Sequence, residues 1–394
     1  MRWQAGESGM SELDRRTAIA AMAGGMMVGS LPALAAERRV LKASISLEGN
    51  RVLIAVGMNG QGPFIFMIDT GTYVSIVRPD LAKKLNLPVQ GYEGSRGIGG
   101  KGDRYAIYLA RDFIIGGGIR QSSVVLEDSF RFGYEQDIYG ALAAGILTAH
   151  DTDLDFDAGE LRLYPNGRGD RAGYVAADAE IPRADQPDRG SRKIVATILV
   201  NGHPVRCALD TGSPNTLSLN QSAARRLGLW DGRPFAPNRP KGIGGAGPIA
   251  RIVRVNEMTM GDVRLGSPLI SLLGNDVGSN LDGIVGLSFI RLFNMSIDSH
   301  GRKLWIKPSR QVSPPYRYGP SGLWLDRDGS RITVASVGNG SPAAKAGIQP
   351  GDRVAGEWGD VLRKISQSVG SKVILTIERS GQSREVAFTL ADFL

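Results

Sequence analysis

Asp69 and Asp210 stand in the same chemical setting. Each follows an apolar run, Phe64-Ile65-Phe66-Met67-Ile68 for the first and Val205-Arg206-Cys207-Ala208-Leu209 for the second. Each opens an Asp-Thr-Gly-hydroxyl tetrad, Asp69-Thr70-Gly71-Thr72 and Asp210-Thr211-Gly212-Ser213. A lone aspartate at a strand end is ordinarily a turn former, because its side chain bonds the backbone two residues on. Two such tetrads, 141 positions apart, point instead to one centre assembled from two halves of one chain. Two facing carboxyls can perform acid–base hydrolysis of an amide. Held about 3 Å apart they cannot both ionise, so they share a proton and titrate as a pair. The ionised member takes a proton from water and the protonated member gives one to the substrate oxygen. Glycine at Gly71 and Gly212 lets the two loops approach closely and exposes backbone N–H groups to the carboxylates.

An internal duplication carries further landmarks at nearly the same offset. Lys84-Leu85-Asn86-Leu87 answers Arg226-Leu227-Gly228-Leu229, and Gly97-Ile98-Gly99-Gly100 answers Gly242-Ile243-Gly244-Gly245. Gly140 answers Gly283, Asp155 answers Asp298, and 161–165 answers 304–308. On these residues, across 45–308, the chain resembles the retropepsin-like and pepsin-like aspartic proteases. The resemblance implies a mostly β, bilobal acid-protease fold with pseudo-twofold β-barrel lobes, and an endopeptidase acting on protein or peptide substrates. It implies that Asp69 and Asp210 are catalytic, that the Thr70 and Thr211 hydroxyls bond across to the opposite loop, and that Thr72 and Ser213 hold the outer carboxylate oxygens. An apolar-apolar-Gly segment closes the second copy as Asp282-Gly283-Ile284-Val285-Gly286. The first copy departs from it, reading Tyr139-Gly140-Ala141-Leu142-Ala143, with Ala143 where the second has Gly286. That departure supports a rival reading, a catalytically impaired protease-like protein that binds peptides. A further rival pairs each lobe with a lobe of another molecule, but the covalent duplication makes a partner chain unnecessary.

The elements that must position these acids are mostly strands. The β-branched-rich runs 52–56 and 193–200 stop at Asn59-Gly60 and Asn201-Gly202, turn dipeptides that predict hairpins into the strands bearing the acids. One short helix per half follows, 80–85 opened by Pro79, and 221–227 with Asn220 as N-cap and Gly228 closing it. Gly97-x-Gly99-x-x-Gly102 and Gly242-x-Gly244-x-x-Gly247 fit the dinucleotide fingerprint as written. Strand-like alternation follows each, however, so no helix N-terminus is available for a pyrophosphate. These segments, Gly97, Ile98, Gly99, Gly100, Gly242, Ile243, Gly244 and Gly245, are expected to form hairpins over a cleft, and the resemblance places flaps there. The stretch 167–192, rich in Gly, Pro, Asp and Arg without apolar periodicity, is expected to be a linker.

Beyond Ser313-Pro314-Pro315, the run Ser341-Pro342-Ala343-Ala344-Lys345-Ala346-Gly347-Ile348-Gln349-Pro350-Gly351-Asp352 resembles the helix-and-turn signature of bacterial PDZ domains, over 319–393. The resemblance implies a small α+β domain with Gly322, Leu323, Trp324 and Leu325 as carboxylate-binding loop and strand. Such domains take a peptide C-terminus by strand addition. The segment between Asp352 and the expected helix at 361–368 is short enough for one strand to be missing.

The first 36 residues read as an export signal. Arg15-Arg16 precedes the uncharged apolar stretch 17–31, and Pro32-Ala33-Leu34-Ala35-Ala36 offers an A-x-A cleavage site. The arginine pair suggests twin-arginine export in a bacterium, to the periplasm or outside the cell. Met10 is an alternative start, and the stretch is short and glycine-rich for a membrane span. A stable span after signal removal is not expected. The expected divisions are 1–36 signal, 37–168 first lobe, 169–190 linker, 191–309 second lobe and 319–394 PDZ-like domain. Fifty-three glycines in 394 residues suit a chain of strands and tight turns. The net charge of +8 comes without aromatic-interleaved basic runs, so a solvated basic surface is expected rather than nucleic-acid binding. Cys207, the sole cysteine, allows no internal disulfide and reads as a small buried hydrophobe. His150, His203 and His300 lack metal-ligand spacing, so neither metal nor cofactor is expected.

Overall fold

The computed structural model describes residues 4–5, 39–96, 102–130, 137–183, 192–242, 245–276 and 280–394. The signal segment lies outside the described residues, apart from Gln4–Ala5, which pairs with Ile119 and Arg120. Residues 97–100, 243 and 244 lie outside them too.

The same strand arrangement forms twice. Arg51–Met58 turns through Asn59 and Gly60 into Gln61–Asp69, and Val195–Val200 turns through Asn201 and Gly202 into His203–Asp210. All four turn residues have left-handed φ, from 50° to 80°, as a two-residue hairpin of matching twist requires. Burial alternates along Arg51–Met58, so its even positions face the core. Gln61–Asp69 then lies parallel to Ile138–Ala143, with Asp69 opposite Ala143, while Ser75–Val77 flanks the same strand antiparallel. His203–Asp210 lies parallel to Gly283–Gly286, with Asp210 opposite Gly286, and Leu217–Leu219 flanks it antiparallel. Each acid therefore ends a strand threaded beside a buried central strand.

The two halves share a sheet. Asp151–Asp155 of the first pairs antiparallel with Phe293–Asp298 of the second, flanked by Glu160–Tyr164 and Lys303–Pro308. Leu154 and Leu161 enter the same apolar core as Met295 and Leu304. The helices form at Pro79–Lys84 and Gln221–Arg226. Asn220 occupies the N-cap position, but its side chain donates to the Leu281 carbonyl at 2.7 Å instead of capping. Gly228 takes φ +65° just beyond the helix end.

The stretch expected to be a plain linker is bound into the fold. Val175–Ala176 pairs with Trp305 and Ile306, and Ala179–Glu180 pairs with Val195 and Ala196. Arg168 donates to Asp153 at 2.7 Å and Arg171 to Asp151 at 3.0 Å. Backbone pairing and buried ion pairs hold this segment, and of its side chains Ile181 enters the main core with Ala177 and Ala179 packed against it, too few and too irregular for apolar periodicity to reveal. Beyond it, Leu323–Asp328, Arg331–Val337, Arg353–Val354, Lys372–Arg379 and Gln382–Thr389 form a separate sheet in chain order. Helices Pro342–Lys345 and Trp358–Ile365 accompany it, and Leu325, Ile332, Val354, Ile377 and Val386 form its own core. The strand in doubt after Asp352 is present as the two residues Arg353–Val354.

Candidate active site

The two tetrads meet at the junction of the halves. Thr70 Oγ1 donates to the Leu209 carbonyl at 2.7 Å and Thr211 Oγ1 donates to the Ile68 carbonyl at 2.6 Å. In return, Thr70 N–H donates to Thr211 Oγ1 at 3.1 Å and Thr211 N–H to Thr70 Oγ1 at 3.0 Å. Both threonines are buried, so these four bonds satisfy groups with no access to water.

Gly71 N–H donates to Asp69 Oδ1 at 2.9 Å, and Gly212 N–H to Asp210 Oδ1 at the same distance. A Cβ on Gly71 would fall 2.3 Å from the Asp210 carboxyl carbon, and a Cβ on Gly212 would fall 2.3 Å from that of Asp69. Each glycine is thus the floor beneath the other half's acid. Each acid lies against the loop that carries the other. Burial, with 7% of Asp69 exposed, pushes its carboxyl well above the ordinary value of 3.8. The Asp210 charge adds to the rise, while the Gly71 N–H and the Lys193 charge oppose it. The pair therefore retains a shared proton above the pH at which an ordinary aspartate loses it.

The flanking hydroxyls act differently from expectation. Thr72 Oγ1 donates to the Asp69 backbone carbonyl at 3.1 Å, not to the carboxylate. Ser213 reaches Asp210 Oδ1 through its backbone N–H, at 3.0 Å. The Ala143 departure has a local counterpart. A Cβ on Gly286 would fall 2.1 Å from the Asn215 carbonyl oxygen, and Gly286 N–H donates to the Thr216 carbonyl at 3.1 Å. In the first half, Ala143 N–H donates instead to the Ser75 hydroxyl at 3.0 Å, and Ala143 is buried. The loop after Asp69 takes a different path that admits the methyl group. Ser75 and Lys193 escaped the sequence reading. Ser75 carried a signal in its alignment with Thr216, whereas Lys193 carried none.

Gly242 and Gly245 face each other in a two-residue ladder joining Lys241–Gly242 to Gly245–Ala246. In the first half, Val89–Arg96 and Gly102–Ile115 are the paired strands leading to the glycine-rich tip. No helix follows either glycine run among the described residues, which removes the anion site a dinucleotide fold requires. Cys207 is fully buried and burial pushes its thiol up, so it packs as a hydrophobe. No group of three or more His, Cys, Asp or Glu side chains is arranged to hold a metal among the described residues. No helix among them is long and apolar enough to cross a membrane.

Leu323, Trp324 and Leu325 line a groove of about 710 Å³ with Trp358, Leu362 and Ile365. Gly322, at φ +75°, packs so tightly that a Cβ would meet Ser341 at 2.1 Å. The Gly322 and Leu323 N–H groups donate to the Gly319 carbonyl and the Ser321 hydroxyl, at 3.0 and 3.2 Å. The far wall of the groove includes Pro214 and Asn215, the residues after the second tetrad.

Residues 196–289, which include Asp210 and Gly286, match a family model described as an aspartyl protease. A probable CtpA-like serine protease of Staphylococcus saprophyticus subsp. saprophyticus is 36% identical over 74 residues, covering 16% of this chain and 15% of that protein. The chain thus spans a small part of that relative's length. The crystal structure of Basic 7S globulin from soybean aligns over 69% of this chain and 95% of that one, with a TM-score of 0.38 and 10% identity. The chain is mostly β and is similar in part to peptidases.

Proposed function

We propose that this protein is an aspartic endopeptidase whose two pepsin-like lobes, 37–168 and 191–309, each supply one acid to a shared dyad. The observation that carries this reading is the reciprocal seating of Asp69 and Asp210 on each other's glycine loops. In this reading Asp69, whose buried carboxyl is pushed up, serves as the acid and Asp210 as the base. Asp210 removes a proton from a water placed between them, and that water's oxygen bonds to the substrate carbonyl carbon. Asp69 gives its proton to the carbonyl oxygen, producing a neutral tetrahedral diol. Asp210 then gives its proton to the amide nitrogen while a diol hydroxyl returns one to Asp69, and the C–N bond breaks, releasing a carboxylic acid and an amine. The glycine-rich hairpins act as flaps over the cleft.

In the same reading the C-terminal unit is a PDZ domain that positions peptide along the edge strand Leu323–Asp328. Residues 1–36 direct export to the periplasm or beyond. Serine chemistry has weaker support in this chain. Ser299 Oγ lies 3.4 Å from His300 Nδ1, but that hydroxyl donates to Asp151 Oδ1 at 3.1 Å and the pair is exposed.

Asp69→Asn and Asp210→Asn are each expected to lower cleavage of an unfolded test protein by about 10³-fold. Retained hydrolysis in either variant refutes the shared dyad. The peptide-binding rival rests on Ala143. Binding of a transition-state mimic of aspartic proteases separates the two readings, because a cleft that ignores the mimic does not stabilise the diol.

A further inference from the structure

A second cavity, of about 810 Å³, opens beside Tyr73, the residue that follows the first tetrad. Among the described residues, Arg183, Arg192, Lys193, Arg206 and Arg302 line it together with the carboxylate of Glu180. That carboxylate is engaged by Arg206, whose Nη2 lies 2.7 Å from both its oxygens, and Arg206 also donates to the Asn280 carbonyl at 2.8 Å. Arg302 donates through Nε to the Ile181 carbonyl at 3.0 Å. Among the described lining residues the cavity therefore keeps a positive excess after Glu180 is counted.

The cavity lies beside the loop of the first tetrad. Lys193 Nζ lies 5.4 Å from the centroid of the Tyr73 ring, and its charge is felt at Asp69. Tyr73 is 62% exposed, an aromatic wall at the mouth of the site. The position matching Tyr73 in the second half is Pro214, which lines the 710 Å³ groove described above. In that groove Arg317 is the only charged side chain among the lining residues, and the walls are mainly Pro, Tyr, Trp, Leu and Ile. Two concavities thus adjoin the residues that follow the two tetrads, one basic and one largely uncharged among the described residues.

We propose that the basic cavity is a specificity subsite, formed chiefly by Arg183, Lys193 and Arg302, that seats an Asp or Glu side chain of the substrate on one side of the scissile bond. This rests on the endopeptidase reading and adds the substrate class to it. An acidic side chain entering the cavity meets several cations at once, which gives register along the cleft as well as attraction. Because the cations are partly exposed, the preference is modest for each and falls with salt.

The test uses matched peptides with a constant apolar pair at the scissile bond. Glu, Gln or Lys is placed two to four residues away on either side. Wild-type protein is expected to cleave Glu peptides with kcat/KM about tenfold above Gln peptides, from several weak pairs acting together, and only when Glu lies on one side. Raising the salt should shrink that ratio, and the Arg183→Gln/Lys193→Gln double variant should bring it near one. Equal cleavage of the Glu and Gln peptides by wild type overturns the subsite and leaves the endopeptidase standing, as does a preference that survives in the double variant. If no peptide is cleaved, the endopeptidase reading fails, and fluorescence anisotropy of labelled peptides tests the cavity by itself. Tighter binding of Glu than Gln peptides, lost in the double variant, supports the subsite; equal binding rejects it.

Discussion

Asp210 accepts N–H groups from both Gly212 and Ser213 at Oδ1, whereas Asp69 accepts one, from Gly71, among the described residues. A carboxylate with fewer donors favours its neutral form, which acts in the same direction as the burial of Asp69. The folded state favours protonated Asp69, so it binds more protons than the unfolded chain above pH 3.8. Stability should then fall as pH rises through the window between that value and the raised one. Asp69→Asn is expected to remove this slope, making the variant more stable than wild type near pH 7 and little different near pH 3. Urea unfolding at the two pH values measures it, and parallel curves for both proteins would contradict the assignment. Ala143→Gly should let the first loop close as the second does and bring Thr72 N–H to Asp69. The upper limb of the pH profile of kcat/KM should move to lower pH, and an unmoved limb would detach Ala143 from the dyad. Gly71→Ala drives a methyl group into the Asp210 carboxyl, and a displacement of that size should cost about 100-fold in kcat/KM.

At the scale of elements, the strands bearing the acids are joined by the crossed threonines. Thr70→Val removes a donor to the Leu209 carbonyl and an acceptor for Thr211 N–H. Leaving those buried groups unpaired should cost about 1–3 kcal/mol each, read as a lower urea midpoint. The shared sheet has its own hub. Asp151 accepts from Arg168 N–H at 3.0 Å, Arg171 Nη2 at 3.0 Å, Ser299 N–H at 2.9 Å and Ser299 Oγ at 3.1 Å. Burial alone would raise its carboxyl, but these donors hold it below 3.8. This contribution has the opposite sign to that of Asp69, being present at neutral pH and lost as pH falls. Hairpins and helices were legible because Asn-Gly pairs, Pro79 and the apolar runs act locally. The pairing of Val175–Ala176 was not, because its partners Trp305 and Ile306 lie far away along the chain.

At the scale of the whole molecule, the C-terminal unit is seated on the second half. Phe235 N–H donates to the Asn339 carbonyl at 3.2 Å, and Arg239 pairs with Asp326 at 2.9 Å. Gly338 packs where a Cβ would meet the Phe235 carbonyl oxygen at 2.0 Å. Tyr316, whose buried phenol is pushed up to about 12, reaches Asn215 Oδ1 at 3.4 Å, beside the second tetrad. Gly338→Val should therefore unseat the unit while leaving its separate core intact. Limited proteolysis should then cut faster within 309–319 with strand content preserved by circular dichroism. Unchanged cutting would show that other contacts dominate.

From the chain alone, the two acids, their supporting glycines and threonines and the doubled pattern were readable, because tetrad and repeat are local features that survive without coordinates. Packing alone decided the rest. Ala143 is accommodated by a loop path no motif encodes, and Asp69 accepts one backbone N–H where Asp210 accepts two. Arg183, Lys193 and Arg302 are scattered in sequence and become one cavity only when the halves close, since charge acts through space and not along the chain.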